Sequence, residues 1–153
     1  MSRRLTALLA LALATGLAVA PADAAVKKKP KPKDIKGSYT LNLMPDPTGE
    51  VTGNVKDGCS GLLASGRDNH PFTVPAAGKL YVHLVSVDPT GHGVTDWDLW
   101  LVHSDGHFID QSHDATSDEE TTTIFKKKTP ITIQVCNLLG QQAATVTYVF
   151  KYA

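Results

Sequence analysis
An excess of charge of either sign is missing from this 153-residue sequence, in which 15 Lys and Arg balance 15 Asp and Glu. A neutral chain argues against a general binder of nucleic acid or of membrane surfaces. Cysteine is nearly absent. Two residues, Cys59 and Cys136, cannot build a disulfide-dense miniprotein or a four-cysteine zinc site. There is no G-x-S-x-G elbow, H-E-x-x-H zinc motif, phosphate loop or dinucleotide fingerprint. Six serines between Ser60 and Ser117 lack a base placed to activate them, so the sequence reads as a non-enzyme. What is present is an ordinary globular composition, 42% apolar and 20% charged, at a length that suits one domain.

Long apolar runs are also scarce, and the first is the longest. Arg3 and Arg4 precede Leu5–Ala20, which carries no charge, and Ala22-Asp23-Ala24 follows as a small-x-small cleavage pattern. Residues 1–24 therefore read as a secretory signal peptide. An uncleaved anchor would need roughly 20 apolar residues, more than this run offers. No later stretch is long enough to span a bilayer, so no transmembrane segment is expected in the mature chain. The expected location is secreted, extracellular or associated with the cell envelope. There the two thiols meet an oxidising environment, and Cys59 and Cys136 are expected to pair.

Residues 25–37 form a Lys/Pro-rich linker. The stretch AVKKKPKPKDIK (25–36) holds six lysines against Asp34, whereas residues 37–153 hold seven Lys or Arg against thirteen Asp or Glu. The neutral total thus hides a basic arm on an acidic body. Pro30 and Pro32 deny the arm a helix, and like charges extend it. It reads as a solvated spacer or as a tether to anionic cell-wall polymers.

From Ser38 to the C-terminus the pattern is that of strands. Short runs rich in Val, Thr, Ile and aromatics alternate with Gly, Pro, Asn and Asp. Expected strands are Ser38–Leu43, Glu50–Val55, Pro71–Val74, Lys79–Val87, Asp96–His103, His107–Ser112, Glu120–Phe125, Ile131–Asn137 and Ala144–Tyr152. Eight or nine short strands imply an all-β, antiparallel sandwich over residues 38–153. Alternation sends Leu80, Val82 and Leu84 inward, with Trp97, Leu99 and Leu101. It sends Tyr81, Asp96, Asp98, Trp100 and Val102 outward. A three-residue turn at Ser104–Gly106 pairs His103 with His107, and would set Val102 against Phe108, Leu101 against Ile109 and Trp100 against Asp110.

The segment DWDLWLVHSDGHFIDQSHDATSDEE (96–120) resembles the bacterial pre-peptidase C-terminal domain family. The shared features are Asp96, Asp98-Leu99-Trp100-Leu101, the Asp105-Gly106 turn, Ser112 and Glu120. Phe72–Gly78 is similar to the family's opening element, Ile131–Val135 to its T-I-x-V strand, and Val146–Tyr152 to its Tyr-rich last strand. The resemblance spans roughly residues 60–153. It implies a jelly-roll-like β-sandwich of about eight strands, of a kind appended to secreted enzymes, where it binds or aids secretion without catalysing. This chain has no room for the peptidase.

Three groups could carry function. Nine carboxylates and no Lys or Arg fall between Asp88 and Glu120. Hard oxygens suit Ca²⁺, and the expected register gathers Asp96, Asp98, Asp110 and Asp114 as ligands. The competing reading is a solvated acidic surface, and no other cofactor is expected. His103 and His107 flank one hairpin and could share Zn²⁺, but a third ligand is wanting. Finally, Trp100 with Phe108 and Tyr81 would form an outward aromatic plate, directed by Asp98 and Asp110. Such a plate could grip a sugar ring or a protein surface; the competing reading is that an outer strand, a loop or the N-terminal segment covers it. The sequence therefore points to a secreted non-catalytic binding module for an extracellular polysaccharide or protein. The alternative is a structural or tethering protein of the bacterial envelope, held by its lysine arm to a cell-wall polymer. No nucleic-acid partner is expected.

Overall fold
Valine, threonine and aromatic residues dominate eight strands, and no α-helix occurs among the described residues. The computed structural model describes residues 29–46, 59, 62, 64–86 and 95–153. The expected signal peptide and the expected strand Glu50–Val55 lie outside them. No described helix is long and apolar enough to cross a membrane.

The strands are β1 (Ile35–Asn42), β2 (Arg67–Val74), β3 (Gly78–Ser86), β4 (Asp96–His103), β5 (Phe108–Ser112), β6 (Asp118–Phe125), β7 (Thr129–Leu139) and β8 (Ala143–Tyr152). A single 3₁₀ turn, Ala64–Gly66, precedes β2. The strands form two four-stranded antiparallel sheets, β1-β8-β3-β6 and β2-β7-β4-β5. This is the strand order of a jelly roll. β1 begins at Ile35, inside the stretch read from sequence as linker. Strand β2 starts four residues before the expected Pro71. It tolerates Pro71 because it is an edge strand, where a missing N–H need not break a ladder.

Both sheets turn one apolar face inward. Leu80, Val82 and Leu84 of β3 meet Val146 and Phe150 of β8, and across the sandwich Trp97, Leu99 and Leu101 of β4 meet Ile131, Ile133 and Val135 of β7. All five of the β3 and β8 side chains and the three of β4 are buried, as alternation requires. Asn137, opposite Trp97, closes one end of the core. Its amide Nδ2 donates to the carbonyls of Leu43 (2.8 Å) and Gln141 (3.0 Å), pinning the chain that leaves β1. At the β1–β2 edge, Tyr39 stacks on His70 with ring centroids 4.1 Å apart, and Phe72 tilts against Tyr148.

A bulge between Leu101 and Val102 breaks the β4–β5 ladder. Val102 faces Phe108 as expected. Beyond it, Leu101 faces Asp110 rather than Ile109, and Trp100 faces Gln111 rather than Asp110. Ile109 is the extra residue and packs on the core. The slip carries Asp110 from the outer face to the inner one, because side-chain direction has a period of two.

Candidate functional site
The outer faces of the two sheets differ. That of β2-β7-β4-β5 is covered over β4 and the adjoining part of β7, while Asn69, Pro71 and Thr73 of the edge strand β2 are exposed. Cys59 bonds to Cys136 on β7, with Cα atoms 5.7 Å apart, and the Cys59 amide donates to Gln134 Oε1 at 3.1 Å. Cys59 and Leu62 then close over Trp100 and Val102, with Phe108 and Leu138 packed at the margin. Trp100 is 1% exposed. Its ring lies 4.9 Å from Phe108 and stacks on His113 at 5.7 Å. Alternation placed Trp100 on the correct side of its sheet, but the disulfide-tied segment removes it from solvent. The expected bare plate at Trp100 is therefore absent.

Nor does the fold gather the other residues of that plate. Tyr81 lies on the outer face of the opposite sheet, so Trp100 and Tyr81 are separated by the thickness of the sandwich. Asp110 turns to the inner edge, where it accepts a hydrogen bond from Thr123 Oγ1 of β6 at 2.8 Å and so bridges the sheets. Asp98 is 2% exposed, beside Cys136. Burial pushes its carboxyl up to about 7, with Asp96 and Glu119 acting in the same direction and His113 against it. The nearby Trp100 indole also opposes the rise, although its N–H has no partner within hydrogen-bond geometry.

The four proposed calcium ligands are likewise dispersed in role. Asp98 is buried, Asp110 is committed to Thr123, Asp96 is half-buried and Asp114 is exposed. Among the described residues no group of three His, Cys, Asp or Glu is placed to hold a metal ion. His103 and His107 do flank their hairpin, joined by a backbone bond of 2.8 Å from the His103 amide to the His107 carbonyl. Asp105 is taken up by the turn, its carboxylate accepting from the His107 amide at 3.1 Å. Glu119 was not singled out from sequence, yet it is 1% exposed. It accepts hydrogen bonds from Ser112 Oγ of β5 and from Thr116 Oγ1 of the loop between β5 and β6.

The outer face of β1-β8-β3-β6 is open. Lys36, Ser38, Thr40 and Asn42 of β1 are exposed, as are Thr147 and Lys151 of β8 and Glu120, Thr122 and Ile124 of β6. Tyr81 sits half-buried in its middle, with Val149 and Thr122 on either side in register. The Nζ atoms of Lys79 and Lys151 lie 4.7 and 4.9 Å from its ring centroid. Ile124, 74% exposed, is opposite Lys79. Tyr81, Ile124, Phe125 and Tyr152 line a recess of about 330 Å³ with the two lysines at its rim.

Charge is sorted along this sheet. Lys31, Lys33 and Lys36 lead into β1, Lys79 opens β3, Lys126–Lys128 follow β6, and Lys151 closes β8. The registers bring all these strand ends to one pole of the sandwich, since Ile35 faces Phe150, Gly78 faces Tyr152 and Gly78 faces Phe125. Every described lysine from Lys31 onward is at this pole, with Asp34 among them and Asp105 on the hairpin that ends β4 there. Asp96, Asp98, Asp114, Asp118, Glu119 and Glu120 belong to the other, where β4 and β6 begin. Lys79 and Lys151 were missed from sequence because each is an isolated residue until the β3–β8 pairing sets them opposite one another. No protein-family model matches the chain, and no curated protein matches it.

Proposed function
We propose that this chain is a secreted, non-catalytic binding module for an extracellular polymer, of the type that pre-peptidase C-terminal domains represent. The observation that carries the reading is the asymmetry of the sandwich. One outer face has its aromatic part closed over by Cys59 and Leu62, and the other presents Tyr81, Lys79, Lys151 and a field of Ser and Thr hydroxyls to solvent. An aromatic ring held on a rigid strand loses little freedom on contact, and hydroxyl-rich neighbours supply directional hydrogen bonds. The contact centres on Tyr81, not Trp100. The resemblance in residues 96–120 and the jelly-roll strand order support the same reading.

The tethering alternative has its own support. Lys31, Lys33 and Lys36 run directly into the pole that carries Lys79 and Lys151, so these lysines form one basic surface. Fractionating a culture separates the two. A soluble binder is found in the medium, and a tether stays on the wall until salt releases it. Tyr81→Ala should weaken retention on an insoluble polymer matrix at an unchanged melting temperature. Full retention of that variant would remove the Tyr81 face from the reading.

A further inference from the structure
We infer that the lysine pole of the open sheet binds a phosphate-bearing polyol or sugar polymer, with Lys79 and Lys151 clasping one phosphate above the Tyr81 ring. The inference rests on the polymer-binding reading above and names the polymer's chemistry.

Lys79 and Lys151 are directly opposite in an antiparallel pair. Like charges in that position repel. Here both ammonium groups also lie against one ring, at 4.7 and 4.9 Å from its centroid, which keeps them within about 10 Å of each other. Among the described residues no carboxylate pairs with either. An anion between them turns a repulsion into two attractions. Lys36, diagonal to Lys151 across β8, and the Lys126–Lys128 turn extend the same charge beyond this pair. Repeated charges suit a polymer better than a single ion, because each neutralised phosphate releases counterions.

The cations are all lysine; the one described arginine, Arg67, opens β2 opposite Cys136, far along β7 from this pole. Lysine binds phosphate as a point charge, without the bidentate geometry that arginine's fork imposes on an anion. The apolar recess beside Tyr81 accepts the carbon skeleton between phosphates. A lipid surface fits less well. Among the described residues Ile124 is the single large exposed apolar side chain at this pole, while Met44 and Leu139 are at the other end, so they offer no apolar cluster to a bilayer.

The test uses the full exported protein on immobilised poly(glycerol phosphate), with neutral dextran, phosphatidylglycerol vesicles and single-stranded DNA in parallel. Wild type should bind the phosphate polymer, with affinity falling steeply between about 50 and about 200 mM salt. The double variant Lys79→Gln/Lys151→Gln should bind roughly tenfold more weakly at the lower salt and lose about two from the log–log salt slope, with an unchanged melt. Wild-type affinity in the double variant overturns the inference. So does preference for vesicles or DNA over the polymer. Equal, salt-independent binding to dextran overturns it too, yet leaves the polymer-binding module standing. Retention on none of the polymers removes both.

Discussion
The ring of Tyr148 fills the space that Gly37 leaves empty. The two residues are paired across β1 and β8, and a Cβ on Gly37 would fall 2.2 Å from both Cζ and the hydroxyl oxygen of Tyr148. The glycine is there to admit the ring. Gly37→Ala forces Tyr148 out of its contact with Phe72 and should cost about 1–3 kcal/mol, as overpacking does. Tyr148→Ala combined with Gly37→Ala should recover part of that loss. A thermal melt of the two variants checks the pair, and additive losses would show that the contact is not responsible.

Asp98 should make stability fall as pH rises. Its carboxyl is pushed up to about 7 by burial, so the folded state holds a proton that the unfolded chain releases near pH 4. Stability from this group is full below the unfolded value and is lost as pH climbs through about 7. Asp98→Asn should therefore melt near wild type at low pH and higher than wild type at pH above 8, by up to a few kcal/mol. Identical pH profiles for the two proteins would count against the burial of a protonated carboxyl.

Leu99→Asp should abolish folding. Leu99 is fully buried at the centre of the inner face, and an unpaired carboxylate there costs several kcal/mol, comparable with total stability. Asp98→Asn, one residue away, keeps the fold. Similar melts for both would mean that the faces of β4 are exchanged.

The Cys59–Cys136 bond should be intact in the protein isolated without reductant, and its loss should uncover Trp100. The bond closes a separation of 77 residues, worth about 4.5 kcal/mol in the chain-entropy view. Cys59→Ser/Cys136→Ser should lower the melt and shift tryptophan emission to the red, since Trp97 stays within the core while Trp100 loses its cover. Trp100→Ala should itself cost about 3–5 kcal/mol, as for other buried aromatics. A loss within 1 kcal/mol, roughly the scale of surface changes, would place Trp100 on the surface after all.

Calcium should leave the melt unchanged. Asp110 is bound to Thr123 and Asp98 is buried beside Cys136, so the carboxylates expected to share an ion do not face one another. A rise in melting temperature between EDTA and millimolar Ca²⁺ would show a site of another composition.

The strands were legible because half-buried strands carry period-two alternation, and every inward residue named on β3 and β4 is buried. Alternation says which side of a sheet a residue takes, but not what lies over that side. For this reason alternation left open whether Trp100 is bare or covered, and it is covered. Its cover comes from Cys59 and Leu62, far away in sequence, and is held by Cys136 at the same outer face. Asp110 was misplaced by one bulged residue, Ile109, whose apolar side chain finds the core only if the ladder slips. The lysine pole needed the pairing of β3 with β8, which no local pattern encodes.

Strand β8 lies between β1 and β3, so the first strand has no partner in its sheet until the last one has been made. Synthesis therefore cannot complete the β1-β8-β3-β6 sheet stepwise, and the ladder closes only when the C-terminal residues 143–152 are free of the ribosome. Pairings this distant along the chain assemble slowly. Until residues 143–152 are made, β1 and β3 both lack the strand that joins them, so this sheet is settled late rather than grown outward from β1.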